Sequence, residues 1–255
     1  MLICAIGDVV GDGGVDAVCR VLPPFCRLRA IDFIICNGEN AAGLGILPIH
    51  AQRLYSAGVD VITLGNHTFA RKETARMLEE DRYLLRPANY TPANPGRGYG
   101  VFDGPRGRRI GVMNLMGRLF TDSNLDNPFF AADRALEQMD THFLLVDMHA
   151  EATSEKMALA HYLDGRVSAV FGTHTHVQTA DERILPGGTG YLSDLGMSGP
   201  VDSILGVTVD SSVRRFLGER TRNIVAGGEC EVQGLLITLD DASGRCTALE
   251  RVKLR

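Results

Sequence analysis

Two histidines one residue apart, His174 and His176, follow an apolar run that ends at Phe171. Alternate residues of an extended segment point to the same side, so both imidazoles face one point if strand geometry continues past Gly172. Imidazole is the commonest metal ligand among side chains. For an isolated motif of this length, an exposed or hydrogen-bonded pair in a loop is the simpler alternative. The pair therefore predicts a metal site only in combination with other ligands.

Further residues that can bind a metal or move a proton follow four other apolar runs. Each has an ordinary alternative role: Asp8 can cap a turn or a helix, and a lone His149 is more often a hydrogen-bonded residue at the edge of a core. Chance placement of such residues after five separate runs is much rarer than placement after one. The joint pattern predicts a metal centre built from strand ends, and its members are Asp8, Glu39, Asn40, Asn66, His67 and His149, together with the two histidines.

The predicted ligands mix carboxylate and amide oxygens with imidazole nitrogens. This mixture suits Mn²⁺, Fe or Zn²⁺ better than Ca²⁺ or Mg²⁺, which prefer oxygen alone. The candidates also outnumber the ligands that one ion needs. Two ions about 3.5–4 Å apart, bridged by a carboxylate and a hydroxide, would use them all, as in many phosphatases. Such a pair neutralises phosphate oxygens and lowers the pKa of the bridging water.

The elements that position these residues alternate between apolar runs and helical patterns. Runs that are apolar on both faces are typical of strands buried inside a layered α/β structure. In such folds ligands bind beyond the carboxyl ends of the strands. The strand runs are 2–6, 33–36, 59–64, 110–113, 143–146 and 167–171, and the helical patterns are 16–28, 49–57, 71–80, 131–139 and 154–163.

The length of 255 residues allows one large domain or two small ones. No Pro/Ser-rich linker or charge block interrupts the chain, so we expect a single domain over 1–255. The tail at 231–239 and 245–254 has the pattern of an antiparallel hairpin. Residues 198–228 predict an irregular excursion, which is also a candidate interface for a homo-oligomer.

The composition restricts the partners and the compartment. A formal net charge of −5 argues against long nucleic acid as a partner but is compatible with a small phosphorylated substrate. The six cysteines form no CxxC pair, the chain starts with a strand-like run rather than a leader peptide, and no apolar stretch is long enough to span a bilayer. We therefore expect a cytoplasmic protein that does not bind membranes.

The ordered motifs resemble those of the calcineurin-like metallophosphoesterases. Two departures from the usual superfamily pattern are Val10, where a histidine is common, and Glu39, which replaces a bridging aspartate. Together with the segments 114–118, 146–156 and 193–200, these departures resemble the bacterial YmdB-like branch over essentially the entire chain. The motifs that carry the resemblance are Asp8, 38–40 (Gly-Glu-Asn), 65–67 (Gly-Asn-His), His149 and 172–176 (Gly-Thr-His-Thr-His).

The resemblance implies a four-layer α/β/β/α sandwich and hydrolysis of 2′,3′-cyclic nucleotides by a dinuclear-metal phosphodiesterase. Two divalent or mixed-valence ions are implied, with iron expected and Mn or Zn as alternatives. By the family pattern, a hydroxide that bridges the metals attacks phosphorus while His67, as general acid, protonates the leaving ribose oxygen. The implied ligands are Asp8, Asn40 and His176 for one ion and Asn66, His149 and His174 for the other, with Glu39 bridging both.

Other functions and other roles for these residues are also compatible with the sequence. A phosphomonoesterase or nucleotidase could use the same metals, and a regulator could sense a nucleotide without turnover. His67 could instead orient the cluster through a hydrogen bond. Arg118 and Phe120 are weaker candidates for substrate contacts, and solvated surface or ordinary packing is the simpler explanation for both. The arginines of the excursion are a candidate lid, although a solvated face is the simpler explanation; they are Arg214, Arg215, Arg220 and Arg222.

Overall fold

The computed structural model describes residues 1–121 and 124–255, and all bounds below refer to these residues. The helices are α1 Gly11–Arg29, α2 Pro48–Ser56, α3 Lys72–Glu80, α4 Pro128–Leu136, α5 Thr153–Tyr162 and α6 Val209–Phe216, with a short 3₁₀ turn at Pro105–Gly107. The strands are β1 Leu2–Ile6, β2 Asp8–Val9, β3 Phe33–Asn37, β4 Val61–Thr63, β5 Leu84–Leu85, β6 Tyr99–Asp103, β7 Arg109–Met116, β8 Phe143–His149, β9 Ala169–Thr173, β10 Arg183–Ile184, β11 Gly190–Leu192, β12 Met197–Pro200, β13 Cys230–Leu239 and β14 Cys246–Leu254.

Two separate sheets form the centre of the described structure. One sheet has the strand order β2-β12-β13-β1-β3-β4-β5, with β14 added beside β13, and the other has the order β10-β11-β9-β8-β7-β6. The antiparallel pairing of β13 with β14 confirms the hairpin predicted for the tail. Alternation of strands and helices in the sequence is equally compatible with one doubly wound sheet, so the division into two sheets is a finding of the structure.

Side chains alternate between two cores along each central strand. Ile3 and Ala5 of β1 face the second sheet and join a core with residues such as Val112 of β7. Cys4 and Ile6 point the other way and pack against the helices α1 and α2. A third core lies between the second sheet and the helices α4 and α5. The layers are therefore helix, sheet, sheet and helix, which confirms the four-layer α/β/β/α sandwich expected from the resemblance.

Parallel pairing brings the ends of the central strands together. β1, β3 and β4 run parallel in the first sheet, and β7, β8 and β9 run parallel in the second. Parallel neighbours end at the same edge of their sheet, so residues that follow them meet there. The predicted ligands follow these strands in the sequence, and the fold places them at this common edge.

The segment 198–228 contains more regular structure than the sequence predicts. It holds the end of β12, the helix α6 and isolated bridges from Val207 to Ile204 and to Val225. A tight turn at Leu205 and Gly206, with φ of 52° and 92°, connects Ile204 to Val207. The turn is thus fixed by the bridges of Val207, and it lies near the carboxyl ends of the strands. Separately, no helix among the described residues combines the length and the apolar character that a membrane span requires.

Candidate metal centre

One group of ligand atoms lies between the two sheets at their carboxyl ends. His149 Nε2 is 2.9 Å from Asn66 Oδ1, 3.2 Å from Glu39 Oε1 and 3.1 Å from His174 Nδ1. The ligand atoms of Glu39, His149 and His174 all lie within 4.8 Å of one another. Four potential ligand atoms converge here, and a single N–H on His149 Nε2 cannot satisfy the other three. A cation at the centre of the group would satisfy them together, so this donor set fits a metal.

A second group of ligand atoms adjoins the first through Glu39. His176 Nε2 lies 3.8 Å from Asp8 Oδ1 and 3.2 Å from the Asn40 amide, and that amide donates to Glu39 Oε1 at 3.2 Å. Asp8 is fully buried, and its Oδ1 has no hydrogen-bond partner among the described residues. An unpartnered buried carboxylate oxygen is costly. A cation beside Asp8 would remove this cost, so the second group also fits a metal.

Burial and close charges shift the pKa values of these residues in opposite directions. Burial raises the pKa of Asp8 to about 6, although His176 opposes the shift. Burial alone would raise the pKa of Glu39, but the charges of His149 and His67 and their hydrogen bonds to this carboxylate together outweigh burial and lower the pKa to about 2. Burial alone would lower the pKa of His149, whereas the carboxylates of Glu39, Asp8 and Asp147, with Glu39 contributing most, together raise it to about 9. Burial and the charge of His149 lower the pKa of His174 to about 4. The metal-free protein therefore holds one extra proton on His149 near neutral pH.

Mn²⁺ binding to metal-free protein near neutral pH should release about one proton, because a ligating imidazole nitrogen must be deprotonated. The folded pKa of His149 is raised from 6.5 to about 9. Its protonated form thus stabilises the metal-free protein fully below pH 6.5, and this contribution is lost as the pH rises through about 9. Metal affinity should rise over the same interval. Calorimetric titrations in two buffers of different ionisation enthalpy measure the proton release, and equal apparent enthalpies would contradict it.

A buried chain of hydrogen bonds orients His149. Its Nδ1–H donates to the Thr173 hydroxyl at 2.9 Å, and that hydroxyl donates to Asp147 Oδ1 at 2.7 Å. Asp147 Oδ2 also accepts hydrogen bonds from the side chains of Thr63 and Asn37. This arrangement leaves Nε2 of His149 directed at the candidate metal centre. Such partners of a ligating histidine set its tautomer and ring orientation.

The two-histidine motif does not continue strand β9, so the extended backbone predicted for it is wrong. The rings of His174 and His176 nevertheless reach the first and second ligand groups. Strand β9 ends at Thr173, and His174 and His176 have φ of 101° and 62°. Non-glycine residues rarely adopt these angles. Two buried carboxylates hold the turn: Asp8 accepts the His174 N–H at 3.1 Å, and Asp194 accepts the Thr175 N–H at 3.1 Å.

The other ring nitrogens of this turn also have partners. His176 Nδ1 donates to the Leu205 carbonyl at 3.1 Å, and His174 Nε2 lies 3.1 Å from Glu151 Oε2. Asp194 in turn pairs with the buried Lys156, whose Nζ is 2.8 Å from Asp194 Oδ2. Roles for Lys156 and Leu205 could not be predicted from the sequence, because their contacts join residues far apart in the chain.

The two candidate groups open into one cavity of about 530 Å³. His67 lines it beside Glu39, which accepts the His67 backbone N–H at 3.1 Å. Arg71, which the sequence analysis missed, also lines the cavity and is held by the carbonyl oxygens of Ala42 and Leu44. Among the described residues, the lining includes neither Arg118 nor Phe120, so the structure does not support them as substrate contacts.

The fold and the grouped ligand atoms define a class of four-layer α/β sandwich proteins with a candidate metal centre at the strand ends. A sequence model described as "YmdB-like protein" matches residues 4–252, and the chain belongs to this family. The 2′,3′-cyclic-nucleotide 2′-phosphodiesterase of Bacillus subtilis is 43% identical over 99% of this chain and 96% of that protein.

Two solved structures have closely similar folds. A hypothetical protein from Thermus thermophilus superposes with a TM-score of 0.93 at 43% identity, covering 99% of this chain and 98% of the other. A structure described as a novel phosphatase from Mycoplasma pneumoniae also gives a TM-score of 0.93, at 32% identity, covering 100% and 93% of the two chains. The similarity therefore extends over the whole chain and includes every strand that carries a candidate ligand.

Proposed function

We propose that this protein is a metal-dependent phosphodiesterase that hydrolyses 2′,3′-cyclic nucleotides. The observation that carries the proposal is the convergence of two ligand groups on Glu39, with the imidazole of His67 in the same cavity. The name of the Bacillus subtilis relative supports the substrate class. A small phosphodiester is thus the proposed partner.

The proposed centre takes two ions, for which the mixed oxygen and nitrogen donors suit Fe, Mn or Zn. Glu39 would contact both ions, and its low pKa keeps it ionised for that role. When bound, two such ions neutralise phosphate oxygens and lower the pKa of a coordinated water. The ligands proposed for one ion are Asp8, Asn40 and His176, and those for the other are Asn66, His149 and His174.

His67 is the proposed proton donor to the leaving group. Its backbone is tied to Glu39, and its ring lies next to Asn66, with the His67 Nε2 atom 3.3 Å from the Asn66 amide nitrogen. The name of the relative specifies the 2′ ester, so we assign the proton from His67 to the ribose 2′ oxygen. Water is then consumed, the bond from phosphorus to this oxygen breaks, and a 3′-phosphate remains. A nucleotide sensor without turnover would need no such donor, which favours the enzyme.

The test is turnover of 2′,3′-cyclic AMP by chelator-stripped protein, with and without added Mn²⁺. We expect hydrolysis only after metal is added, with 3′-AMP as product. Parallel assays with 3′-AMP as substrate measure phosphomonoesterase activity. Faster release of phosphate from the monoester would replace the proposal with a nucleotidase, and nucleotide binding without turnover of either substrate would replace it with a sensor.

We also propose the cytoplasm as the compartment. All six cysteines are free, and four of them are buried within the fold. Free thiols persist in a reducing compartment. Burial raises the pKa of the Cys36 thiol well above its ordinary value, so this thiol stays protonated and unreactive.

A further inference from the structure

The cavity above the candidate metal centre has two chemically different parts. Its floor carries charged and polar groups, including Glu39 and His174. One side is formed by Leu205, Val207 and Val225, which we call the apolar wall. Leu205 and Val225 remain 49% and 39% exposed, so the wall presents uncovered apolar surface to the cavity.

Backbone bridges and hydrogen bonds fix the position of the apolar wall. Val207 bridges both Ile204 and Val225, and the Ala226 N–H donates to the Gly206 carbonyl at 2.9 Å. The Leu205 carbonyl accepts the hydrogen bond from His176 described above. A binding surface held in this way loses little conformational freedom when a ligand arrives.

Three glycines, which have no side chains, provide room for the apolar wall and for the turn that carries it. A Cβ atom at Gly11 would lie 2.7 Å from Val225 Cγ1, and one at Gly43 would lie 3.1 Å from Val225 Cγ2. Gly206 has φ of 92°, and a Cβ atom there would lie 2.7 Å from Val10 Cγ1. Val10 stands where the wider superfamily commonly has a histidine, and here it packs against the turn that carries the wall.

A polar group stands at the edge of the wall. Asn223 and Val225 line the cavity, whereas Ile224 between them does not, as expected for alternate residues of an extended segment. The Asn223 Oδ1 atom accepts a hydrogen bond from Arg215 at 3.0 Å. Its amide N–H groups have no partner among the described residues, so they can donate to a ligand in the cavity.

We propose that the apolar wall and Asn223 form a nucleobase subsite. A cyclic phosphate and a ribose offer little apolar surface to this wall, whereas the face of a base does. Base edges also carry the carbonyl and ring-nitrogen acceptors that an amide N–H can reach. A cavity of about 530 Å³ accommodates a ligand of mononucleotide size. The inference rests on the proposed function and adds that the protein selects cyclic diesters by their base.

The test compares a cyclic nucleotide with a cyclic diester that has no base. The double variant Val207→Thr/Val225→Thr keeps the shape of both side chains and adds hydroxyl groups. We expect it to raise KM for 2′,3′-cyclic AMP about 10-fold through lost apolar contact. Its kcat/KM for glycerol 1,2-cyclic phosphate should stay within about 2-fold of the wild type. Ile224→Thr is the matched control, because this neighbouring side chain is 57% exposed outside the cavity.

Asn223→Ala tests the polar part of the subsite. It should change the ratio of kcat/KM values among the cyclic nucleotides of adenine, guanine, cytosine and uracil, while metal content stays unchanged. Equal losses for the nucleotide and the glycerol diester in the double variant would overturn the inference, since the wall would then act only through His176.

Binding separates failure of the subsite from failure of the proposed function. If the wild-type protein hydrolyses neither diester, calorimetric titration with 3′-AMP and with inorganic phosphate still tests whether the base subsite exists. Tighter binding of 3′-AMP than of phosphate, lost in the double variant, would support a base subsite in a protein of different activity. Equal affinity for the two ligands would overturn it.

Discussion

Replacing His67 by alanine should lower turnover of 2′,3′-cyclic AMP by about 10²–10⁴-fold, the usual contribution of a positioned general acid. The ring lines the cavity without belonging to either ligand group, while its backbone N–H binds Glu39 and survives the substitution. Both metal equivalents should therefore remain bound. Steady-state kinetics together with metal analysis of the same sample provide the measurement.

The leaving group distinguishes proton donation from an orienting role of His67. The p-nitrophenolate ion leaves without a proton, so His67→Ala should reduce hydrolysis of bis(p-nitrophenyl) phosphate much less than hydrolysis of the cyclic nucleotide. His161→Ala is the matched control, because this exposed histidine lies on α5. Equal losses for the two substrates would assign His67 the orienting role that the sequence analysis left open.

Exchanging Glu39 for glutamine should remove metal from both proposed sites. The carboxylate lies between the two ligand groups, and the substitution removes one negative charge with almost no change of shape. One unit charge at about 4 Å from a cation contributes about 4 kcal/mol at an effective dielectric constant of 20, or roughly 10³-fold in affinity. Equilibrium dialysis with Mn²⁺ followed by metal analysis measures the change. Activity at equimolar metal should fall to background.

A nearby carboxylate provides the control for this prediction. Glu151 contacts the outer nitrogen of His174, but its side chain is 53% exposed. Glu151→Gln should retain both ions and weaken their binding by about 10-fold at most. The release of a proton on metal binding should also diminish in Glu39→Gln, because Glu39 is the largest cause that raises the pKa of His149. Full retention of both ions by Glu39→Gln would show that this residue does not bridge them.

The residue types and the strand pattern together determined much of the fold and of the candidate site. The buried runs are apolar on both faces because both faces of each central strand are covered, and this pattern is local enough to read from the sequence. Parallel strands in an α/β fold end at a common edge, so residues such as Asp8 and His149 could be expected to meet. In the structure Asp8 lies beside His174 and His176, and His149 lies beside Asn66 and Glu39.

Only the tertiary structure decided how the connecting segments are arranged. The spacing of His174 and His176 predicts extended backbone, but Asp8 accepts the His174 N–H from 166 positions away and helps hold a turn. The position of the Leu205 turn likewise depends on contacts with Val10 and His176, which lie on other elements. A buried strand can be predicted from the sequence because several consecutive residues are buried and are therefore apolar. The conformation of a turn depends on individual hydrogen bonds and close contacts between distant residues, and these do not exist until the sheets have packed.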